Sequence, residues 1–191
     1  IYHFPADVPM LIHEDLQCSS LGNSVVAWGK HYEKAWIADR DRDFCLGQFI
    51  WTGIDYIGEP TPYSTKNSYF GVVDTAGLPK DGYYFYQCVW TDSETNPMVH
   101  ILPYWDWNDG EIIDVIAYTN APIVELFLNG KSLGKQEIDH EKGSVLHGKW
   151  AVAYEKGVLS AKAYDKNGRV IAEDKRESFS DSAKLSMKSD D

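Results

Sequence analysis

The chain has 191 residues, of which 43% are hydrophobic and 14% aromatic, enough for one large domain or two small ones with packed cores. Its formal net charge of -11 argues against nucleic-acid binding, which needs clustered lysine and arginine to release counterions. No apolar run approaches the roughly 20 residues of a membrane-spanning helix, so we expect no membrane span.

The first 43 residues predict a strand, a helix and a polar connection. The apolar run 8–15 opens near a proline and ends in carboxylates, which predicts a buried strand with Glu14 at its carboxyl end. Apolar and aromatic residues at roughly helical spacing predict a helix over 25–38. The mixed-charge run 39–43 predicts a solvated connection in which ion pairs contribute little.

The stretch 44–56 is apolar with little alternation, which is typical of a strand buried on both faces. Its end becomes polar and aromatic, with Trp51, Asp55 and Glu59 leading into a Pro-rich loop. This pattern indicates a strand that delivers an aromatic ring and carboxylates to a cleft, although a core strand before an ordinary loop explains it equally well. Strand, helix and strand in this order predict a βαβ unit in a parallel sheet.

Aromatic residues at 81–90 predict a helix whose aromatic stripe is structural and packs against a barrel exterior. Cys18, Cys45 and Cys88 lack the spacing of a metal site, so we expect buried free thiols, no metal and no cofactor. We expect His100 to be structural, since no ligand-type residue lies at suitable spacing. The cysteines leave the cellular compartment open.

After the polar, Pro-terminated segment 91–97, the pattern changes to short strands. Asn129-Gly130 predicts a two-residue hairpin turn, since a type I′ turn needs positive φ at both positions. The number and spacing of strands favour an immunoglobulin-like β-sandwich. The predicted strands cover 99–107, 112–118, 124–128, 149–154, 158–164 and 170–179.

Two segments carry a resemblance to a known family. Residues 48–63, QFIWTGIDYIGEPTPY, and residues 68–81, SYFGVVDTAGLPKD, closely resemble the C-terminal end of the catalytic barrel in family 2 β-galactosidases. The match extends through 97–103 and 124–134.

The resemblance implies an α/β plus all-β chain, comprising the C-terminal part of a (β/α)8 TIM barrel and an immunoglobulin-like β-sandwich. We assign residues 1–95 to the barrel, 96–180 to the sandwich, and 181–191 to a polar tail that links to a further domain. Because a closed barrel needs about 250 residues, we expect this chain to be a fragment of a larger enzyme.

The resemblance also implies site residues. Residues 9–14 and 19–23 resemble the segment in which the nucleophilic glutamate ends the seventh barrel strand, and Glu14 falls on that glutamate. His13 and Asp15 stand where serine and threonine are usual, which leaves fine substrate preference open. Trp51 falls on the tryptophan that forms the floor of the sugar subsite.

The carboxylates of Asp55 and Glu59 lie further along that loop. We predict that they contact sugar hydroxyls, with anchoring of the loop through carboxylate-to-backbone bonds as the alternative.

Retaining glycoside hydrolysis needs two carboxyl groups about 5–5.5 Å apart, and Glu14 supplies one of them. The family's general acid comes from an Asn-Glu pair, and no Asn-Glu dipeptide occurs in this chain. We therefore predict a fragment of a retaining β-galactosidase that is inactive alone. Its expected partners are a β-linked galactoside or related glycan and the remainder of the parent enzyme.

The alternative is a non-catalytic module for carbohydrate binding or for packing between domains, formed by residues 97–180. Exposure of three tryptophans distinguishes the two uses of such a module. A solvent-facing aromatic row favours carbohydrate binding, whereas burial favours a scaffold. The residues concerned are Trp105, Trp107 and Trp150.

Overall fold

The computed structural model describes residues 30–59, 67–180 and 186–187. The strand predicted at 8–15, with Glu14, and Cys18 lie outside the described residues. In chain order the elements are α1 (Tyr32–Arg40), β1 (Tyr56–Ile57), β2 (Asn67–Ser68), α2 (Asp81–Trp90), β3 (Val99–Leu102), β4 (Ile112–Thr119), β5 (Ile123–Leu128), β6 (Lys131–Glu137), β7 (Gly148–Ala153), β8 (Val158–Tyr164) and β9 (Val170–Glu177).

Strands β3 to β9 form a β-sandwich, which confirms the prediction for this half of the chain. One sheet has the order β3-β4-β7 and the other the order β6-β5-β8-β9, and every neighbouring pair is antiparallel. Seven strands in two such sheets are typical of immunoglobulin-like domains.

The core of the sandwich lies between the two sheets. Strand β7 shows why, since its burial alternates strictly and points Trp150 and Val152 inward while Lys149 and Ala151 face outward. Trp105, Leu126 and Leu159 are fully buried. The buried residues of this core are Ile101, Trp105, Ile113, Val115, Ala117, Val124, Leu126, Ile138, Trp150, Val152, Tyr154, Leu159 and Ala161.

All six strands predicted after residue 97 are present, although β3 ends at Leu102 and β9 at Glu177. Asn129 and Gly130 both have positive φ, 50° and 79°, and join β5 to β6 as the type I′ turn requires. The sequence analysis missed β6 itself. This edge strand, Lys131–Glu137, is almost wholly polar and largely exposed, so it carries no alternating signal.

Both helices pack on the outer face of the β3-β4-β7 sheet. Phe85 and Cys88 on α2 are buried against Leu102 and Ile116, and Tyr32 and Trp36 on α1 pack against the same cluster. The expected structural role of the α2 aromatics is confirmed, but the prediction of which surface they cover is wrong. They cover the sandwich rather than a barrel exterior.

Helix α1 begins at Tyr32 and ends at Arg40, two residues beyond the predicted end, and residues 25–29 lie outside the described part. The prediction that 39–43 is a solvated connection is wrong for residues 39–40, which belong to the helix, whereas residues 41–43 are exposed as expected. Arg40 lies in the last turn of the helix and donates from one guanidinium nitrogen to the carbonyls of His140 (3.1 Å) and Gly143 (3.0 Å). It therefore ties α1 to the loop between β6 and β7.

A buried carboxylate joins α1 to the sandwich. Tyr118 donates its hydroxyl to Glu33 Oε1 at 2.8 Å, and His147 Nδ1 lies 2.9 Å from Glu33 Oε2. Burial raises the pKa of Glu33, but the hydrogen bond and charge of His147, with the Tyr118 hydroxyl, outweigh it and hold that pKa below its usual value. The hydroxyl groups of Tyr32 and Tyr118 lie 3.0 Å apart and extend the network.

The buried strand predicted at 44–56 is wrong for most of its length. Residues 44–50 belong to no strand, and Phe44, Leu46 and Phe49 have exposed fractions of 81%, 107% and 105%. Cys45 is exposed too, whereas Cys88 is a buried free thiol as expected. A strand needs hydrogen-bonding neighbours on its edges, and no other described segment pairs with these residues.

The parallel barrel sheet is not confirmed. Within residues 30–59 and 67–95, the only regular strands are β1 and β2, which pair antiparallel, and one parallel bridge joins Ile54 to Val73. In the described parts of the chain, no helix has the length and apolar character needed to cross a membrane.

Candidate functional site

Of the four residues predicted for the site, the structure describes three. Glu14 lies outside the described residues, while Trp51, Asp55 and Glu59 lie on one nine-residue segment. Trp51 and Glu59 are exposed, and Asp55 is buried. The three side chains therefore do not share one environment.

Trp51 presents an indole ring with an exposed fraction of 73%. Its Nε1–H donates to the hydroxyl of Tyr56 at 3.2 Å, and the two rings meet edge to face with centroids 6.2 Å apart. Tyr56 in turn lies 6.5 Å from the ring of Phe70. The indole is thus held from one edge while most of its surface faces solvent.

The backbone after Trp51 runs beside residues 70–73. The Thr52 amide donates to the Phe70 carbonyl at 3.2 Å, and the Val72 amide donates to the Thr52 carbonyl at 3.1 Å. A Cβ atom at Gly71 would lie 2.2 Å from the backbone nitrogen of Asp55, so only glycine permits this approach.

Asp55 makes the contacts of a loop anchor. Its Oδ1 accepts hydrogen bonds from the Gly71 amide and from Lys80 Nζ, both at 2.7 Å. The Asp55 side chain is 3% exposed and that of Lys80 is 15% exposed. These contacts favour the anchoring alternative over direct contact with sugar.

Glu59, unlike Asp55, is exposed to solvent. Its side chain is exposed, and its carbonyl accepts a hydrogen bond from the buried Ser68 hydroxyl. Because Ser68 pairs with Tyr56 in the β1-β2 ladder, the backbone of Glu59 is fixed while its carboxylate points to solvent.

Sequence reasoning missed Lys80, Gly71 and Tyr56 as parts of this site. Lys80 lies 25 residues from Asp55, and nothing local in the sequence signals that the two side chains pair. The glycine was visible, but the close approach that requires it depends on a contact 16 residues away.

The second cluster of titratable groups surrounds His100 and is structural, as expected. His100 Nε2 lies 2.8 Å from Asp81 Oδ1, its Nδ1 lies 3.1 Å from an Arg176 guanidinium nitrogen, and its ring stacks on Tyr84 at 3.7 Å. These bonds join α2 to β3 and β9. Among the described residues, no group of three or more His, Cys, Asp or Glu side chains is placed to hold a metal ion.

The tryptophans of the sandwich do not form an exposed row. Trp105 and Trp150 are buried in the core, and Trp107 is partly buried against it. Tyr104 stacks on Trp107 with centroids 4.8 Å apart. This burial favours a scaffold role for the sandwich over carbohydrate binding.

The chain is similar in sequence to a described domain family and to known glycosidases. Residues 110–172 match a family described as a domain of unknown function, DUF4982. The β-galactosidase BoGH2A of Bacteroides ovatus is 47% identical over 159 residues, covering 82% of this chain and 18% of that protein. A putative β-glucuronidase of Formosa agariphila is 42% identical over 159 residues, covering 77% of this chain and 14% of that protein.

Among solved structures, a β-glycosidase from Bacteroides vulgatus superposes with a TM-score of 0.74 and 36% identity, covering 84% of this chain and 20% of that one. The chain thus spans about a fifth or less of the length of these relatives. Sequence relatives, fold and the motif at 48–63 agree, and the chain belongs to glycoside hydrolase family 2.

Proposed function

We propose that this chain is part of a retaining β-galactosidase, with residues 1–95 forming the C-terminal part of the catalytic (β/α)8 barrel. Residues 96–180 form the following sandwich, and 181–191 lead to a further domain. The structural observation that carries the proposal is the exposed indole of Trp51, held edge-on by Tyr56. An aromatic face open to solvent is the surface on which the C–H groups of a pyranose stack.

The barrel assignment explains the exposed apolar segment. Phe44, Leu46 and Phe49 lie in one short stretch and are almost completely exposed, which is costly for large apolar side chains in water. In the proposed parent enzyme, neighbouring barrel strands cover these side chains and supply the backbone hydrogen bonds.

In the proposed mechanism, Glu14 attacks the anomeric carbon and forms a covalent glycosyl-enzyme. A carboxylic acid from the remainder of the parent donates its proton to the leaving oxygen, and as a carboxylate it then deprotonates the water that releases the sugar. Trp51 supports the sugar ring, and Glu59 accepts hydrogen bonds from its hydroxyl groups. The sandwich serves as a scaffold.

The sugar is proposed to be galactose, as in the name of BoGH2A, which is 47% identical. Glucuronic acid is the second candidate, because the Formosa relative at 42% identity is named a putative β-glucuronidase. Aryl β-galactoside and aryl β-glucuronide, offered separately, distinguish the two.

The proposal predicts that the full-length protein hydrolyses an aryl β-galactoside, that the 191-residue chain alone does not, and that Glu14→Gln lowers kcat by about a thousandfold or more. The exposed Glu94 gives a matched control, since Glu94→Gln is expected to leave turnover unchanged. A 2-fluoro galactosyl fluoride traps the covalent intermediate, and mass spectrometry locates it on the peptide that contains Glu14. Full activity of the Glu14→Gln variant would remove Glu14 from the nucleophile role.

A further inference from the structure

We infer that Asp55 is a positioning residue for the sugar-binding face of Trp51, acting through a buried ion pair with Lys80 rather than by touching the sugar. This inference rests on the proposed role of Trp51. It assigns to Asp55 and Lys80 a function that the family motif alone does not state, and it separates Asp55 from the exposed Glu59 of the same loop.

The Asp55 carboxylate is buried and faces away from solvent. Oδ1 accepts two hydrogen bonds of 2.7 Å, from the Gly71 amide and Lys80 Nζ, and only 3% of the side chain is exposed. A carboxylate that binds sugar hydroxyls has to reach the cleft, and this one faces the protein interior. Removing either charge would leave the other buried without an opposite charge beside it, which is strongly destabilising.

Lys80 connects this loop to α2 and, through α2, to the sandwich. Lys80 immediately precedes α2, and its Nζ also donates to the Tyr69 carbonyl at 3.2 Å. Its amide donates to the Val72 carbonyl at 2.8 Å. Since Phe85 of α2 is fully buried against the sandwich, Lys80 provides a fixed point to which the loop is attached.

The segment held by Asp55 and Lys80 is in turn bonded to the backbone next to Trp51. The segment 69–73, held by Asp55 and Lys80, also holds Thr52 through the amide and carbonyl bonds to Phe70 and Val72. Thr52 follows Trp51 directly, so the anchor fixes the backbone that carries the indole. Tyr56 fixes the ring from the side. A loss of the ion pair therefore displaces the indole without changing any group that contacts the sugar.

The test compares Asp55→Asn and Lys80→Met in the full-length protein. Both are expected to lower kcat/KM by about 10- to 100-fold, mainly by raising KM, because small misplacements of a binding group have effects of this size. Combined with Trp51→Ala, neither is expected to add a further loss, since both act through Trp51. Lys80→Arg keeps the cation and is expected to restore most of what Lys80→Met loses.

The matched control is Lys175→Met. Lys175 also lies within 2.6 Å of a carboxylate, that of Glu177, but this pair is exposed, and its loss is expected to leave kcat/KM unchanged. Hydrogen exchange followed by mass spectrometry gives a readout that is independent of the sugar. Peptides covering 51–55 and 69–73 should exchange faster in Asp55→Asn and Lys80→Met than in the control.

The outcomes distinguish a failure of the Asp55–Lys80 anchor from a failure of the proposed role of Trp51. If Asp55→Asn lowers kcat/KM while Lys80→Met changes neither kinetics nor exchange, Asp55 acts on the sugar directly and the inference is overturned. If Trp51→Ala leaves KM unchanged, the proposed role of Trp51 fails, and exchange alone then decides whether Asp55 and Lys80 anchor the loop. Unaltered exchange in both variants rules the anchor out.

Discussion

The sandwich strands and the segment 44–50 are both rich in apolar side chains, yet these side chains lie in opposite environments. Leu126 in β5 is fully buried, with hydrogen-bonded strands on both sides, whereas Leu46 is fully exposed and lies in no strand. Composition does not explain the difference. A strand forms where its edges find partners, and among the described residues such partners are present for β5 but not for residues 44–50.

The helices show that the division of the chain is less simple than the order of the sequence. Both α1 and α2 come before residue 95, and both cover the outer face of the β3-β4-β7 sheet. Their apolar side chains belong to a second buried cluster on that face, separate from the core between the two sheets. Of the segment 44–50, only Ile50 packs against this second cluster.

Two Leu→Ala changes in the 191-residue chain test this difference in environment most directly. Leu126→Ala is expected to lower the free energy of unfolding by about 3–5 kcal/mol, because it leaves a cavity around a fully buried position. Leu46→Ala is expected to change it by less than about 0.5 kcal/mol, since the side chain is already in water. Denaturant unfolding measures both.

The Leu46→Ala change has a different expected effect in the full-length protein. There Leu46→Ala is expected to cost about 2–5 kcal/mol if barrel strands cover residue 46 as proposed. A large loss from Leu46→Ala in the isolated chain, dependent on protein concentration, would instead show that a second copy covers this segment.

What the sequence predicts well is what local pattern determines. The strands of the sandwich were found because alternation and turn residues mark them, and Asn129-Gly130 fixed the hairpin. Strand β6 was missed because an edge strand need not alternate. The apolar run 44–56 predicts a buried strand because its composition reflects what such a strand packs against in the whole protein. Composition does not show whether those partners are present, and residues 44–50 form no strand among the described residues.

The candidate site divides in the same way. The motif located Trp51, Asp55 and Glu59, but it could not tell an exposed carboxylate from a buried one. That distinction depends on Lys80 and Gly71, which are remote in sequence and meet Asp55 only in the folded chain. Burial and pairing are tertiary properties, and residue identity alone does not contain them.

A smaller effect tests how firmly α2 is joined to the sandwich. Asn120 is buried, accepts from the Met98 amide at 3.0 Å, and donates to Thr91 Oγ1 at 3.0 Å and the Asn96 carbonyl at 2.9 Å. Its hydrogen bonds therefore fix the connection between α2 and β3. Asn120→Ala is expected to lower the free energy of unfolding by about 1–3 kcal/mol, because buried partners lose their hydrogen bonds.

The control for this change is Asn108→Ala, at an exposed asparagine whose side chain bonds only to Glu111 among the contacts described. It is expected to cost less than about 0.5 kcal/mol in the same unfolding measurement. Equal losses at the two positions would mean that Asn120 stabilises the connection between α2 and β3 no more than an exposed asparagine does.

The smallest effect is the one that depends on pH, and it concerns the Glu33 carboxylate between α1 and the sandwich. Because the folded state holds its pKa below the ordinary value of 4.5, Glu33 stabilises the protein above about pH 4.5, and this contribution is lost as pH falls through its folded pKa. Glu33→Gln is therefore expected to cost about 1–2 kcal/mol near neutral pH, where the hydrogen bonds of Tyr118 and His147 to a charged acceptor are weakened, and progressively less below pH 4.5. Urea unfolding at a series of pH values from 3 to 7 measures the difference between the two proteins. Glu173→Gln, at an exposed carboxylate paired with Lys162 at 3.4 Å, is the matched control and should give a small difference at every pH. A Glu33→Gln difference that stays constant down to pH 3 would show that the site stabilises the interface by shape and neutral hydrogen bonds alone, and that no buried charge joins α1 to the sandwich.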